Sequence, residues 1–194
     1  MTFFGTLLKN RRAGGTHSAW NQANLQGPEL LIVTSQAFVE GGPIPLDHVG
    51  KRIGGKDMSP DLAWSPPPPE TTELLLVVED LDVPMSKPAV HCLAFIEPSR
   101  LGSPNHVPAG ALSAREPAAG VRILRSTVGR GYRGPEPIKG HGPHRYTFEL
   151  FALSLEASSP DEAAKLDRES PRAVLSSLGA PVTARGRLTG IYER

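Results

Sequence analysis

The sequence predicts a mainly β fold, an antiparallel sandwich with short helices confined to its C-terminal end. Three observations carry this reading. Apolar segments of strand length recur along the chain, and 20 glycines and 20 prolines among 194 residues are spread between them as turns. Helix start signals cluster only near the C-terminus, and no strand-helix-strand alternation precedes them. The length suits one domain that buries a sizeable core without disulfides.

Residues 1–28 form an N-terminal extension ahead of the domain proper at 29–194. The extension carries Lys9, Arg11 and Arg12 and no acid before Glu29, a composition shared with mitochondrial presequences. A short amphipathic helix with Phe3, Phe4, Leu7 and Leu8 on one face is the simpler reading, docked on the domain or on a second copy in a homodimer. Residues 30–34 make the first strand. Gly41, Gly42, Pro43 and Pro45 break the chain, and 51–56 is a loop but not a phosphate-binding P-loop, because G-x-x-x-x-G-K-[ST] is absent. Ser65 to Pro69 is a rigid polyproline-type connector between strands.

The continuous apolar run 74–78 reads as a buried strand that leads into Asp80 and Asp82. In the next strand, 90–96, alternation places His91, Leu93 and Phe95 on one face and Cys92, Ala94 and Ile96 on the other. Residues 97–120 show no period and read as a long surface excursion. The glycine- and proline-rich stretch 129–143 leads into a strand at 144–153, with His144, Tyr146, Phe148 and Leu150 on one face. Ser159-Pro160-Asp161-Glu162 sets a capping box for a helix over 160–168. Ser170-Pro171 and Gly179 bracket a second helix over 171–178. The tail 182–192 is a closing strand broken by glycines.

Lysines and arginines number 21 against 20 acidic residues, a net charge of +1 that excludes nucleic-acid or membrane-surface binding driven by bulk charge. The single cysteine, Cys92, excludes an intrachain disulfide and a thiolate zinc site and fits a reducing, cytoplasmic location. The longest apolar run is a strand's length, far short of a membrane span.

Asp80 and Asp82, two apart on an extended segment, are expected to emerge on one side, while His91 and His144 open strands on either side of the long excursion. Such a cluster admits a metal site, an acid/base pair or an anion cradle. A metal site commonly shows a compact histidine pair in sequence, which this chain lacks, so no metal and no cofactor is expected. For catalysis the nucleophile is missing: G-x-S-x-G and H-E-x-x-H are absent, and alternation turns Cys92 away from His91. An anion cradle needs imidazole and hydroxyl donors beside glycine-turn amides, which 129–144 supplies with Tyr132 and Tyr146 alongside.

Three segments carry a family resemblance: 57–64 (DMSPDLAW), 79–84 (EDLDVP) and 131–146 (GYRGPEPIKGHGPHRY). In order and spacing they resemble the signatures of the phosphatidylethanolamine-binding protein family, also called Raf-kinase-inhibitor-like proteins, in the style of its bacterial and fungal branch. The resemblance covers 30–194 and implies a Greek-key core of a large sheet against a smaller one. It implies an anion pocket lined by Asp80, His91, His144 and Tyr146, with the Gly134 backbone at its rim. Asp82, Tyr132, Pro135 and Pro143 are further rim candidates, although Asp82 also suits a structural pair with Arg145.

Departures are Leu81 for the usual proline, Val83 for the usual alanine, and Cys92 where an aromatic often stands. The implied ligand is a phosphate-bearing anion or phospholipid headgroup, with regulation of a protein partner such as a kinase or protease. The imidazoles, the Tyr146 hydroxyl and a glycine-turn amide are expected to donate to it. No catalytic residue is assigned. An enzyme using Asp80 with a histidine, and a protein-interaction scaffold, are the alternatives.

Overall fold

The computed structural model describes residues 3–154 and 160–194. Helix α1 (Phe3–Leu8) comes first, followed by strands β1 (Val33–Thr34), β2 (Leu62–Trp64), β3 (Glu73–Asp80), β4 (Ala89–Ile96), β5 (His106–Val107), β6 (Val121–Ile123), β7 (Arg125–Ser126), β8 (Gly129–Arg130) and β9 (His144–Leu153). Helices α2 (Pro160–Arg168) and α3 (Pro171–Ser177) precede the last strand, β10 (Val182–Tyr192). An antiparallel five-stranded sheet runs in the order β10-β9-β3-β4-β6, a three-stranded sheet in the order β1-β2-β5, and β7-β8 form a hairpin.

The apolar run of β3 is continuous because both faces of the large sheet are covered. On one face Leu74, Leu76 and Val78 pack with Phe148 and Leu150 against Val33, Leu62, Trp64 and Val107 of the small sheet. On the other face Leu75, Val77, Phe95 and Phe151 are covered by Trp20 and Leu25 of the N-terminal chain and by Val174 and Leu175 of α3.

Several expected boundaries move, each for a local reason. The first strand shortens to two residues, although Leu31 and Val33 point inward and Leu30 and Ile32 outward as alternation requires. The excursion 97–120 is not confined to the surface: Val107 and Leu112 are fully buried, and β5 joins the small sheet. The glycines of β10 do not break it. A side chain at Gly186 would collide with the Leu31 carbonyl and one at Gly190 with Ile44, so both glycines admit the chain that crosses the strand. Helix α3 has its Ser170 cap, whose hydroxyl accepts the Ala173 amide, but it ends with Leu178 in an extended conformation and without a left-handed glycine. The capping box expected around Ser159 lies outside the described residues. In α1, Leu7 is exposed; the close contact is made by Gly5, against the backbone of Lys139 to His141.

The N-terminal chain is latched to the second face by charge. Alternation points Glu79 of β3 and Glu149 of β9 to that face, and both are fully buried. Glu79 accepts the Ala19 amide at 2.8 Å and pairs with Arg172 of α3. Glu149 accepts the Trp20 amide at 3.0 Å. Arg185 donates to the Trp20 carbonyl, and the guanidinium carbons of Arg185 and Arg187 lie 4.0 and 4.7 Å from the centroid of the indole ring.

Trp20→Ala is therefore expected to cost about 3–4 kcal/mol in denaturant unfolding, as large-to-small changes in a packed core do. Burial, and then the neighbouring Glu79, push the Glu149 carboxyl up from 4.5 to about 8. A group whose pKa is raised on folding stabilises fully below its unfolded value and loses that contribution as pH rises through the folded one. Stability should therefore fall between pH 4.5 and about 8, and Glu149→Gln should flatten that slope when unfolding is followed across the range.

Candidate functional site

Beyond the end of β3, a cavity of about 640 Å³ opens on the face of the large sheet that carries the small one. Asp80, His91, Gly134, His144 and Tyr146 all line it, and His91 and Tyr146 meet edge to face with ring centroids 5.3 Å apart. The four rim candidates do not. Asp82 lies in the turn after β3, where the extended geometry ends. Its amide donates to Asp80 Oδ1 at 2.8 Å, and its carboxylate takes a forked pair of bonds from Arg145 and an ion pair from Arg12. Burial works against ionisation of Asp82, but those arginines prevail and hold its pKa at about 2. Tyr132 is drawn away by donating its hydroxyl to the His48 carbonyl at 2.9 Å. Pro135 and Pro143 serve through backbone carbonyls, which accept from the Gly50 amide and from Arg12. The mouth is instead apolar, formed by Val83, Pro84, Met85, Val128, Pro137 and Ile138.

His91 reaches the cavity through a break in the alternation rule. Val78 pairs with Cys92 but Glu79 pairs with Val90, so His91 is the extra residue of a β-bulge. The bulge puts His91 and Cys92 on the same face, while Leu93 and Phe95 turn to the other. The expected separation of His91 from Cys92 is thus overturned by one inserted residue, which the side-chain pattern alone does not reveal.

The expected anion donors are partly engaged already. The Gly134 amide donates to Asp57 Oδ1 at 2.9 Å, so it is not free for a ligand. Gly134 is needed for a different reason: a side chain there would strike the backbone of His48 and Val49. Asp57, with a left-handed φ of 53°, also pairs with Arg133 at 3.3 Å and braces this wall. His144 Nδ1 lies 2.8 Å from Asp80 Oδ2, and its Nε2 lies 2.7 Å from Nδ1 of His141. His91 donates Nδ1–H to the Arg133 carbonyl at 2.8 Å, leaving Nε2 as the lone-pair nitrogen. Burial lowers the His91 pKa, with Asp80 opposing. The buried Tyr146 hydroxyl makes no well-formed hydrogen bond among the described residues, although the Asp80 carboxylate is near enough to act on it, and burial together with Asp80 keeps it protonated. His141 and Asp57 sit inside the signature segments, but only the folded chain shows what they touch.

A family model described as phosphatidylethanolamine-binding protein matches residues 34–193. The chain belongs to the phosphatidylethanolamine-binding protein family. It is 30% identical over 174 residues to a UPF0098 protein of Aquifex aeolicus, covering 87% of this chain and 91% of that one. A UPF0098 protein of Methanothermobacter thermautotrophicus is 33% identical over 165 residues, covering 84% and 99%. Among solved structures, Escherichia coli YbcL, described as a member of the mammalian PEBP family, superposes with a TM-score of 0.71 at 26% identity, covering 84% of this chain and 98% of YbcL. Among the described residues, no helix is long and apolar enough to cross a membrane.

In this member of the family, Cys92 stands beside the site without access to it. It is fully buried, and burial pushes its thiol up to about 12. A thiol-specific aromatic disulfide reagent should leave Cys92 unlabelled in the native protein and modify it completely in denaturant. Rapid labelling of the native protein would contradict this placement.

Proposed function

We propose that the cavity binds a headgroup-sized phosphate monoanion, free or as an ester whose apolar part lies along the mouth. The observation that carries this is the Tyr146 hydroxyl, a buried donor at the polar end of the cavity that makes no well-formed hydrogen bond within the chain and has only the already engaged Asp80 carboxylate acting on it. A buried polar group in that condition asks for a partner from outside the chain. Charge supports the same ligand. Lys51, Arg52 and Arg133 line the cavity with Asp57, Asp80 and Glu136, so the walls are balanced and a dianion beside Asp80 is repelled. His91 offers a lone pair at Nε2 and becomes a donor only by taking up a proton, so anion binding should draw one in. The apolar mouth, where Met85, Val128 and Ile138 are exposed, suits the carbon chain of an ester.

The geometry favours binding over catalysis. Both nitrogens of His144 are occupied, and the Cys92 thiol is held protonated, so neither presents a ready base or nucleophile. Isothermal titration with inorganic phosphate and with phosphoethanolamine tests the reading. Affinity should rise as pH falls below 7, and heats measured in buffers of different ionisation enthalpy should report proton uptake. Tyr146→Phe should weaken binding by about tenfold, the worth of a hydrogen bond to a charged group. Identical titrations for wild type and Tyr146→Phe would overturn the proposal.

A further inference from the structure

The N-terminal arm, which precedes the span matched by the family model, meets the polar end of the cavity through His141. His141 Nε2 faces two carbonyl oxygens of the arm, Leu8 at 2.8 Å and Arg11 at 3.1 Å. Carbonyls only accept, so this nitrogen must carry a proton. One further proton must lie between His141 Nδ1 and His144 Nε2, 2.7 Å apart, and another between His144 Nδ1 and Asp80, 2.8 Å apart. Wherever those two protons reside, the three side chains hold one proton more than an aspartate beside two neutral imidazoles. The set is net neutral.

Withdrawing the arm changes that count. With the Leu8 and Arg11 carbonyls gone, His141 Nε2 can be the lone-pair nitrogen. His141 then donates Nδ1–H to His144, His144 donates Nδ1–H to Asp80, and every bond within the set is made with one proton fewer and a net charge of −1. We propose that docking of the N-terminal arm on His141 loads one proton onto the Asp80–His144–His141 set, switching the polar end of the cavity from anion-repelling to anion-accepting. The consequence for ligands rests on the phosphate reading above; the proton count does not.

The arm is held in register for this task. Arg12 donates to the Pro143 carbonyl at 2.8 Å and the His141 carbonyl at 3.2 Å and pairs with Asp82, while the Ala13 and Gly14 amides donate to Val83 and Leu81 at 2.9 and 2.7 Å. Linkage is reciprocal, so a ligand favoured by the loaded state must in turn tighten the arm. His141 is thus a positioning residue that acts on the ligand through His144.

Ring 15N spectra of the full chain test this directly. In wild type, His141 Nε2 should be protonated, and three ring protons should be found on the two histidines or shared with Asp80. Gly5→Val, whose side chain would strike the Lys139 carbonyl, should free the arm and convert His141 Nε2 to a lone-pair nitrogen. If that variant does not fold, Arg12→Gln serves in its place.

Inorganic phosphate should bind the freed variant about tenfold more weakly, the effect of one unit of nearby charge, and should slow amide exchange at Ala13 and Gly14 in wild type. A lone-pair Nε2 on His141 in wild type would overturn the proposal. So would unchanged ring spectra in a variant whose arm exchange shows release, or equal phosphate affinities with the arm docked and freed. Failure of phosphate to bind even wild type would instead defeat the ligand reading, and the ring spectra would still decide the proton count.

Discussion

Strand β3 ends in two adjacent carboxylates, and the strand's own geometry sends them to opposite faces of a sheet that is covered on both sides. Glu79 goes to the face beneath Trp20 and Asp80 to the face that holds the cavity. Neither position offers bulk water, and an isolated buried carboxylate is costly. The surroundings of the strand end supply partners for both: Arg172 and the Ala19 amide for Glu79, and His144 and the Asp82 amide for Asp80. The N-terminal chain wraps this end and touches each charged system in turn, His141 from Leu8 and Arg11, Asp82 from Arg12, Glu79 from Ala19 and Glu149 from Trp20.

This requirement explains why residues outside the family span are nonetheless part of the structure. With the chain around residues 19–25 removed, Glu79 would lose one of its donors, Glu149 would lose its backbone donor, and Trp20 would no longer cover Phe151. The second face of the sheet is therefore completed by local backbone donors as much as by apolar area. The raised pKa values of Glu79 and Glu149 express the same fact, since burial outweighs the opposing arginines there. Around Asp82 the balance is reversed, because two arginines and the Arg145 amide reach the buried carboxylate and together outweigh its desolvation.

Much of the arrangement was legible in the sequence, and the failures have physical causes. Strand β9 is readable to the residue because His144, Tyr146, Phe148 and Leu150 alternate without interruption after the glycine- and proline-rich stretch 129–143. Five of the cavity's lining residues, Asp80, His91, Gly134, His144 and Tyr146, come from specific motif segments and not from periodicity. What periodicity could not register was a one-residue bulge at His91, which reverses every facing assignment on one side of it. The turn after Asp80 likewise defeats the extended-chain argument for Asp82. Glycines misled where they serve close approach: Gly186 and Gly190 look like breaks but admit a crossing segment. The arm's contacts with His141 and Pro143 span more than 120 positions in sequence, as from Leu8 to His141, and nothing local encodes such a pairing.

The cavity's chemistry follows from which of its groups are already used. Asp80, both nitrogens of His144 and the Gly134 amide are consumed by contacts within the protein, which leaves His91 Nε2 and the Tyr146 hydroxyl facing inward as an acceptor and a donor. On the proposed reading, such a pair takes a neutral or protonated group as it stands and an anion only when a proton comes with it. The cavity would then discriminate by proton content as well as by shape, and the groups proposed to fix that content lie behind the visible lining, in His141 and the backbone carbonyls of the arm. A site of this kind can be retuned without touching any residue that contacts the ligand, by altering how firmly the arm is held.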